Sequence, residues 1–186
     1  MLKKPYHPVL VPVFTVALAA CIPPPDPQDE FFFSLEALCG HSYEGEVVES
    51  IESDETWRTS RIVIYVDECS ENEIRIPLHV GEDTSRTWII SKTETGLRLK
   101  HDHRHEDGTP DDVTMYGGDT VEEGTPYRQA FPADDYSKAL FVENDIAASV
   151  NNTWILMITP DETLSYRLQR PGRTFQVNFD LTQPIR

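Results

Sequence analysis

Half of the six histidines in this 186-residue chain fall within seven residues, His101-Asp102-His103-Arg104-His105-Glu106-Asp107. Imidazole titrates near neutral pH and ligates transition metals, so such a cluster can seat a metal, touch a small ligand or fix a hydrogen-bond network. On a β-strand alternate side chains share a face. Leu97, Leu99, His101, His103 and His105 then form one side, and Arg98, Lys100, Asp102, Arg104 and Glu106 the other. The histidines continue a leucine face, which predicts that they turn inward or line the mouth of a barrel. Same-face neighbours lie about 6.6–6.8 Å apart, so His101 and His103 can converge on one ion, whereas three in succession span about 13 Å and would need a bend. A carboxylate from the following turn or the returning strand (Asp111, Asp112 or Asp119) would complete the shell. Nitrogen ligands with one carboxylate suit Zn, Cu or Ni, while Ca and Mg prefer oxygen alone. The competing reading is structural: imidazoles bonded to Asp102, Asp107, Asp111, Asp112 or Asp119, with no ion needed.

Catalysis has less support. Ser85 and Ser91 lack a Gly-x-Ser-x-Gly setting, and no cysteine sits in an activating context. Acid–base work between His101 and Glu106 stays open, because so acidic a chain always offers carboxylates. The balance leans away from an enzyme, and no cofactor is required. Gly117-Gly118-Asp119 is too short for a phosphate cradle and is read as a turn or bulge. Arg86 and Trp88 share a strand face, suited to a cation–π pair, a ligand contact or plain packing.

The elements that must position these residues are strands. Segments 61–66, 73–80, 86–90, 97–105, 113–116, 154–159, 163–169 and 174–181 are rich in β-branched and aromatic residues. Ile74, Ile76, Leu78 and Val80 alternate with Arg75, Pro77 and His79, the period of a half-buried strand. Gly81-Glu82-Asp83, Thr95-Gly96, Pro160-Asp161-Glu162 and Pro171-Gly172 are turn signals. Residues 31–38 read as a short helix ended by Gly40 and apolar around most of its circumference, so it should pack onto or plug something. Residues 132–151 are the least β-like, with a helical turn near 135–141. Short strands joined by tight turns predict an all-β antiparallel meander closed into an up-and-down barrel, which removes exposed edges. A β-sandwich is the alternative.

The amino terminus carries Lys3 and Lys4, an apolar run over 9–20 and then Leu18-Ala19-Ala20-Cys21. Basic end, short apolar segment and small residues form the layout of a secretion signal. The run falls short of the ~20 residues that span a bilayer. Residues 18–21 resemble the lipobox of bacterial lipoprotein precursors, which implies cleavage before Cys21 and its acylation. Ile22 after the cysteine implies, by the same resemblance, an outer-membrane lipoprotein facing the periplasm; inner-membrane anchoring and surface exposure are alternatives. The expected division is a signal at 1–20, an acylated cysteine and Pro-rich acidic tether at 21–30, and one β-rich domain at 31–186. Losing residues 1–20 removes two lysines and no acid, so the formal charge moves from −16 to −18. Such a chain repels phosphate backbones, which argues against nucleic-acid partners. Export to an oxidising compartment leaves Cys39 and Cys69 one possible pairing, an expected disulfide.

Two further resemblances bear on the domain. The layout is similar to that of the calycins, the lipocalin-like barrels, where a helix leads through Gly-x-Trp into the first strand and a late Arg packs over that Trp. Gly40-His41-Ser42-Tyr43 stands in for the first feature, with Arg167 or Arg170 as the late arginine. Ser85-Arg86-Thr87-Trp88, residues 96–108 and Thr114-Met115-Tyr116-Gly117-Gly118-Asp119-Thr120 resemble signatures of uncharacterised secreted bacterial proteins, a likeness that implies no activity. Three readings of function follow. The first is a lipid-anchored barrel holding a small apolar ligand; the second is an envelope structural or interaction protein with a protein partner. The third is a Zn- or Cu-binding protein using His101, His103 and His105.

Overall fold

The computed structural model describes Met1 and residues 24–185. Residues 2–23, which hold most of the expected signal, Cys21 and the start of the expected tether, lie outside the described residues. The first helix, α1 (Pro27–Glu36), begins four residues before the expected position, inside the segment read as tether. Pro27 occupies the first turn, where its missing N–H costs nothing. The Asp26 carboxylate caps the turn by accepting from the Gln28 N–H at 2.8 Å. The prolines that suggested a spacer therefore end in a helix start. Phe31, Phe32 and Leu35 are buried on α1, while Phe33 faces outward.

Eleven strands follow: β1 (Ser42–Glu49), β2 (Ile62–Tyr65), β3 (Glu68–Cys69), β4 (Glu73–Val80), β5 (Asp83–Thr93), β6 (Gly96–His103), β7 (Tyr116–Asp119), β8 (Arg128–Pro132), β9 (Thr153–Thr159), β10 (Thr163–Arg170) and β11 (Arg173–Asp180). Their spatial order is β7-β6-β5-β4-β2-β1-β11-β10-β9-β8, with β3 extending β2 along β4. Every ladder is antiparallel. The sheet curls into a nearly closed up-and-down barrel, so the sandwich alternative falls away. Ile74, Ile76, Leu78 and Val80 are buried as their alternation requires.

Four local expectations change. The strand expected over 113–116 forms only from Tyr116 onward, because Met115 turns through a positive φ of 56°. Gly117-Gly118-Asp119, read as a turn or bulge, is the body of β7. Among the elements that went unforeseen are α2 (Glu55–Thr59), β3 and β8. The helical turn expected near 135–141 is a nine-residue helix, α3 (Asp135–Glu143), capped by Asp134 accepting from the Ser137 N–H at 2.8 Å.

The two ends of the barrel differ. At one end α1 lies across the opening, with Gln28 Nε2 donating to Thr120 Oγ1 (2.9 Å) and Lys92 paired with Asp29 (2.9 Å). A disulfide between Cys39 and Cys69, 30 residues apart, ties the segment after α1 to β3. At the other end α2, the loop between β6 and β7, α3 and a 3-10 turn (Ala147–Asn151) form an incomplete cover.

Candidate functional site

Under that incomplete cover lies a cavity of about 380 Å³. The even positions of β10 point inward, placing Tyr166, Leu168 and Arg170 on its wall; Arg173 and Phe175 do the same from β11. Its deep side is aromatic. Trp88 stacks on Tyr166 with centroids 4.3 Å apart, and His101 stacks on Tyr116 at 4.7 Å and tilts against Trp154 at 5.0 Å. Trp57, from α2, meets Phe175 edge-on at 5.1 Å and carries the Arg86 guanidinium 5.5 Å above its ring. Thus Arg86 lines the cavity, pairing with Asp83.

His101 is 3% exposed and both ring nitrogens are engaged. Nδ1 lies 3.2 Å from the Tyr116 carbonyl, and Nε2 lies 2.9 Å from the Tyr166 hydroxyl. A carbonyl only accepts, so Nδ1 carries the proton. Burial pushes the His101 pKa down to about 3, opposed in part by that carbonyl bond and aided by the charges of His103 and Lys100. The ring is therefore neutral, and Nε2 accepts from Tyr166, whose own hydroxyl is bonded by Trp154. Nearer the mouth, His103 Nε2 is 3.0 Å from the Tyr116 hydroxyl. Burial and then the Arg86 charge lower its pKa, while Asp111, Asp83 and Asp102 act the other way. Burial raises Tyr116 to about 12 and Tyr166 well above its ordinary value, so both phenols stay neutral.

The sequence-derived candidates separate. His101, His103 and Asp111 border the cavity together. His105 is exposed beyond the end of β6, where Arg104 bridges to Pro110. Asp112 is exposed as well. Asp119 pairs across the ladder with Arg98 at 2.6 and 2.8 Å, away from the cavity lining. Among the described residues no three of His, Cys, Asp and Glu gather closely enough to hold a metal ion. Of the two candidate late arginines, Arg167 bonds Glu49 (2.8 Å) and Arg170 turns into the mouth. Sequence reasoning missed Asp54, Trp57, Tyr116, Tyr166 and Arg173 as lining residues. The alternation on β10 and β11 could have signalled the last two.

The lowered pKa of His101 has a consequence for stability. Its folded value lies below the unfolded value near 6.5, so the unfolded chain binds the proton first as pH falls. Stability from this group is present above about pH 6.5 and drains away toward pH 3, at up to about 1.4 kcal/mol per unit. His103 contributes with the same sign. Urea unfolding of the wild type between about pH 7 and 5 should show this fall, and His101→Gln should flatten the slope while lowering stability at pH 7. Equal slopes in the two proteins would contradict the assignment.

Comparison with protein-family models, with curated proteins and with solved structures returns no match to this chain.

Proposed function

We propose that the chain is a lipid-anchored envelope protein whose barrel binds a small ligand without transforming it. The observation that carries this reading is the cavity: about 380 Å³ and open at one end, with an aromatic deep side and a mouth that carries Asp54, Arg86, Asp111, Arg170 and Arg173. Small-molecule sites run from roughly 300 to 1,000 Å³. The hydrogen-bonding groups of its floor are already satisfied within the protein, as His101, Tyr116 and Tyr166 show. A floor of neutral, mutually bonded groups favours holding a ligand over moving its protons.

The anchor rests on the lipobox resemblance at residues 18–21. Five residues separate Cys21 from Pro27, the start of α1, and span at most about 18 Å when extended. Because α1 covers the closed end, the acylated cysteine would hold that end toward the membrane. The open mouth would then face the aqueous compartment, where a soluble ligand arrives.

One experiment reads both parts: mass spectrometry of the protein isolated from its own envelope. The N-terminal peptide should begin at an acylated Cys21, and the intact folded protein should retain a small adduct that denaturation releases. The adduct should be absent from Leu168→Trp, which narrows the cavity from its wall. An unmodified Cys21 in processed protein would sink the anchor. A cavity that never yields an adduct and binds no probe would sink the ligand reading.

A further inference from the structure

The last residue of β10 and the first of β11, Arg170 and Arg173, are register partners across the turn at 171–172, and both line the cavity. Like charges directly opposed in an antiparallel pair repel. One of the two is answered inside the protein. The Asp54 carboxylate, 6% exposed as a side chain, accepts from Arg173 Nη2 at 2.6 Å. The other is not. Arg170 Nη1 donates to Ser149 Oγ (3.0 Å) and Asn152 Oδ1 (3.1 Å), which are neutral groups. Among the described side chains, the ion pairs of the barrel involve ten other cations and leave Arg170 without a carboxylate. In a chain with 32 acidic and 16 basic residues, an inward arginine without an acid is unexpected. Burial and the neighbouring Arg173 both weaken its protonated form, with Asp54 opposing.

We infer that the cavity takes a flat, monoanionic organic acid, its anionic group on Arg170 and its body against the aromatic wall. This rests on the small-ligand reading above. A guanidinium with free N–H groups matches the paired oxygens of a carboxylate or sulfonate. Nη1 of Arg170 is used by Ser149 and Asn152, which leaves its Nη2 and Nε edge for such a group. Trp57, half-buried on α2 and edge-on to Phe175, is the aromatic ring of the lining with surface left for the remainder, above the buried Trp88–Tyr166 stack. One negative charge fits better than two, because Asp111 lines the cavity beside His103 and would repel a second.

The three tryptophans of the chain, Trp57, Trp88 and Trp154, all line the cavity, so their emission reports occupancy without a label. The test uses the full mature chain, residues 21–186, with Cys21→Ser so that no acyl chain competes for a hydrophobic probe. Two probes share one aromatic body: anilinonaphthalenesulfonate carries an anion and N-phenylnaphthylamine does not. Energy transfer from tryptophan should show the anionic probe bound about ten- to a hundred-fold more tightly. Raising salt should erode that preference only slightly, since the arginine is partly buried. Arg170→Gln should remove most of the preference and leave the neutral probe unchanged. Equal or tighter binding of the neutral probe to the parent chain would overturn the inference and leave the small-ligand reading intact. So would an anion preference that survives Arg170→Gln. If neither probe enters, the small-ligand reading itself fails. Should Arg170→Gln not fold, Arg170→Met takes its place, with loss of the anion preference supporting the inference and its survival overturning it.

Discussion

Gly117→Ala should destabilise the protein more than any surface substitution, because Gly117 is the stitch that closes the barrel. Its φ is 150°, which side chains rarely adopt, and an added Cβ would sit 1.9 Å from the Leu99 carbonyl oxygen. Next to it, a Cβ on Gly118 would sit 1.9 Å from the Pro132 carbonyl oxygen. Both obstacles are backbone atoms, which cannot rotate away. Here β7 and β8 do not form a ladder; one serine does the work of a strand. Ser137 Oγ accepts from the Gly117 N–H at 2.7 Å and donates to its carbonyl at 2.9 Å, while the Asp134 N–H reaches the same carbonyl at 2.9 Å. Overpacking costs about 1–3 kcal/mol and a strained backbone a similar amount, so Gly117→Ala should lose about 2–6 kcal/mol. At roughly 2–4 °C per kcal/mol for a domain of this size, the melting midpoint should drop by at least about 4 °C. Ser137→Ala should cost about 1–3 kcal/mol, since it orphans the buried Gly117 N–H while the carbonyl keeps Asp134. Circular-dichroism melts of both variants check this. A Gly117→Ala midpoint within a degree of wild type would mean that the seam is not closed as described.

Loss of the Cys39–Cys69 disulfide should be comparably costly. The bond closes a 30-residue loop containing β1 and β2, and restricting that loop in the unfolded chain is worth about 3–4 kcal/mol in the chain-entropy model. The loop also carries α2, and with it Trp57 and Asp54 at the mouth, so the bond supports both ends of the barrel. With a urea slope of about 1–3 kcal/mol per molar, reduction or the Cys39→Ala/Cys69→Ala double substitution should lower the urea midpoint by roughly 1–4 M. An unchanged midpoint after complete reduction, verified by thiol labelling, would show that the loop is restrained by something else.

Much of this architecture was legible before folding. Residues 74–80 declare their buried face by strict alternation, because successive side chains of a strand point to opposite sides whatever lies beyond. The same rule placed His101 and His103 on the inner face. The errors share a cause. Val113 carries β-favouring chemistry yet stays outside β7, since the turn at Met115 answers to the loop's packing and its own sequence does not announce it. The segment around Gly117 looks like a turn to any local rule; it is a strand because Ser137, twenty residues on, bonds both of its backbone groups.

What the sequence determined by itself is whatever depends on a few neighbouring residues. That includes the strand faces, the turns at Gly81 and Gly172, the pairing left to Cys39 and Cys69, and a strongly acidic chain. Tertiary structure alone decided which of three clustered histidines reach the cavity, since His105 lies past the point where β6 gives way to a loop. It also decided that Asp54 neutralises Arg173 and that Arg170 is left facing the mouth. Those pairings join residues 119 positions apart in one case and 18 to 21 in the other. Local periodicity fixes which way a side chain points; only closure of the barrel fixes what it meets there.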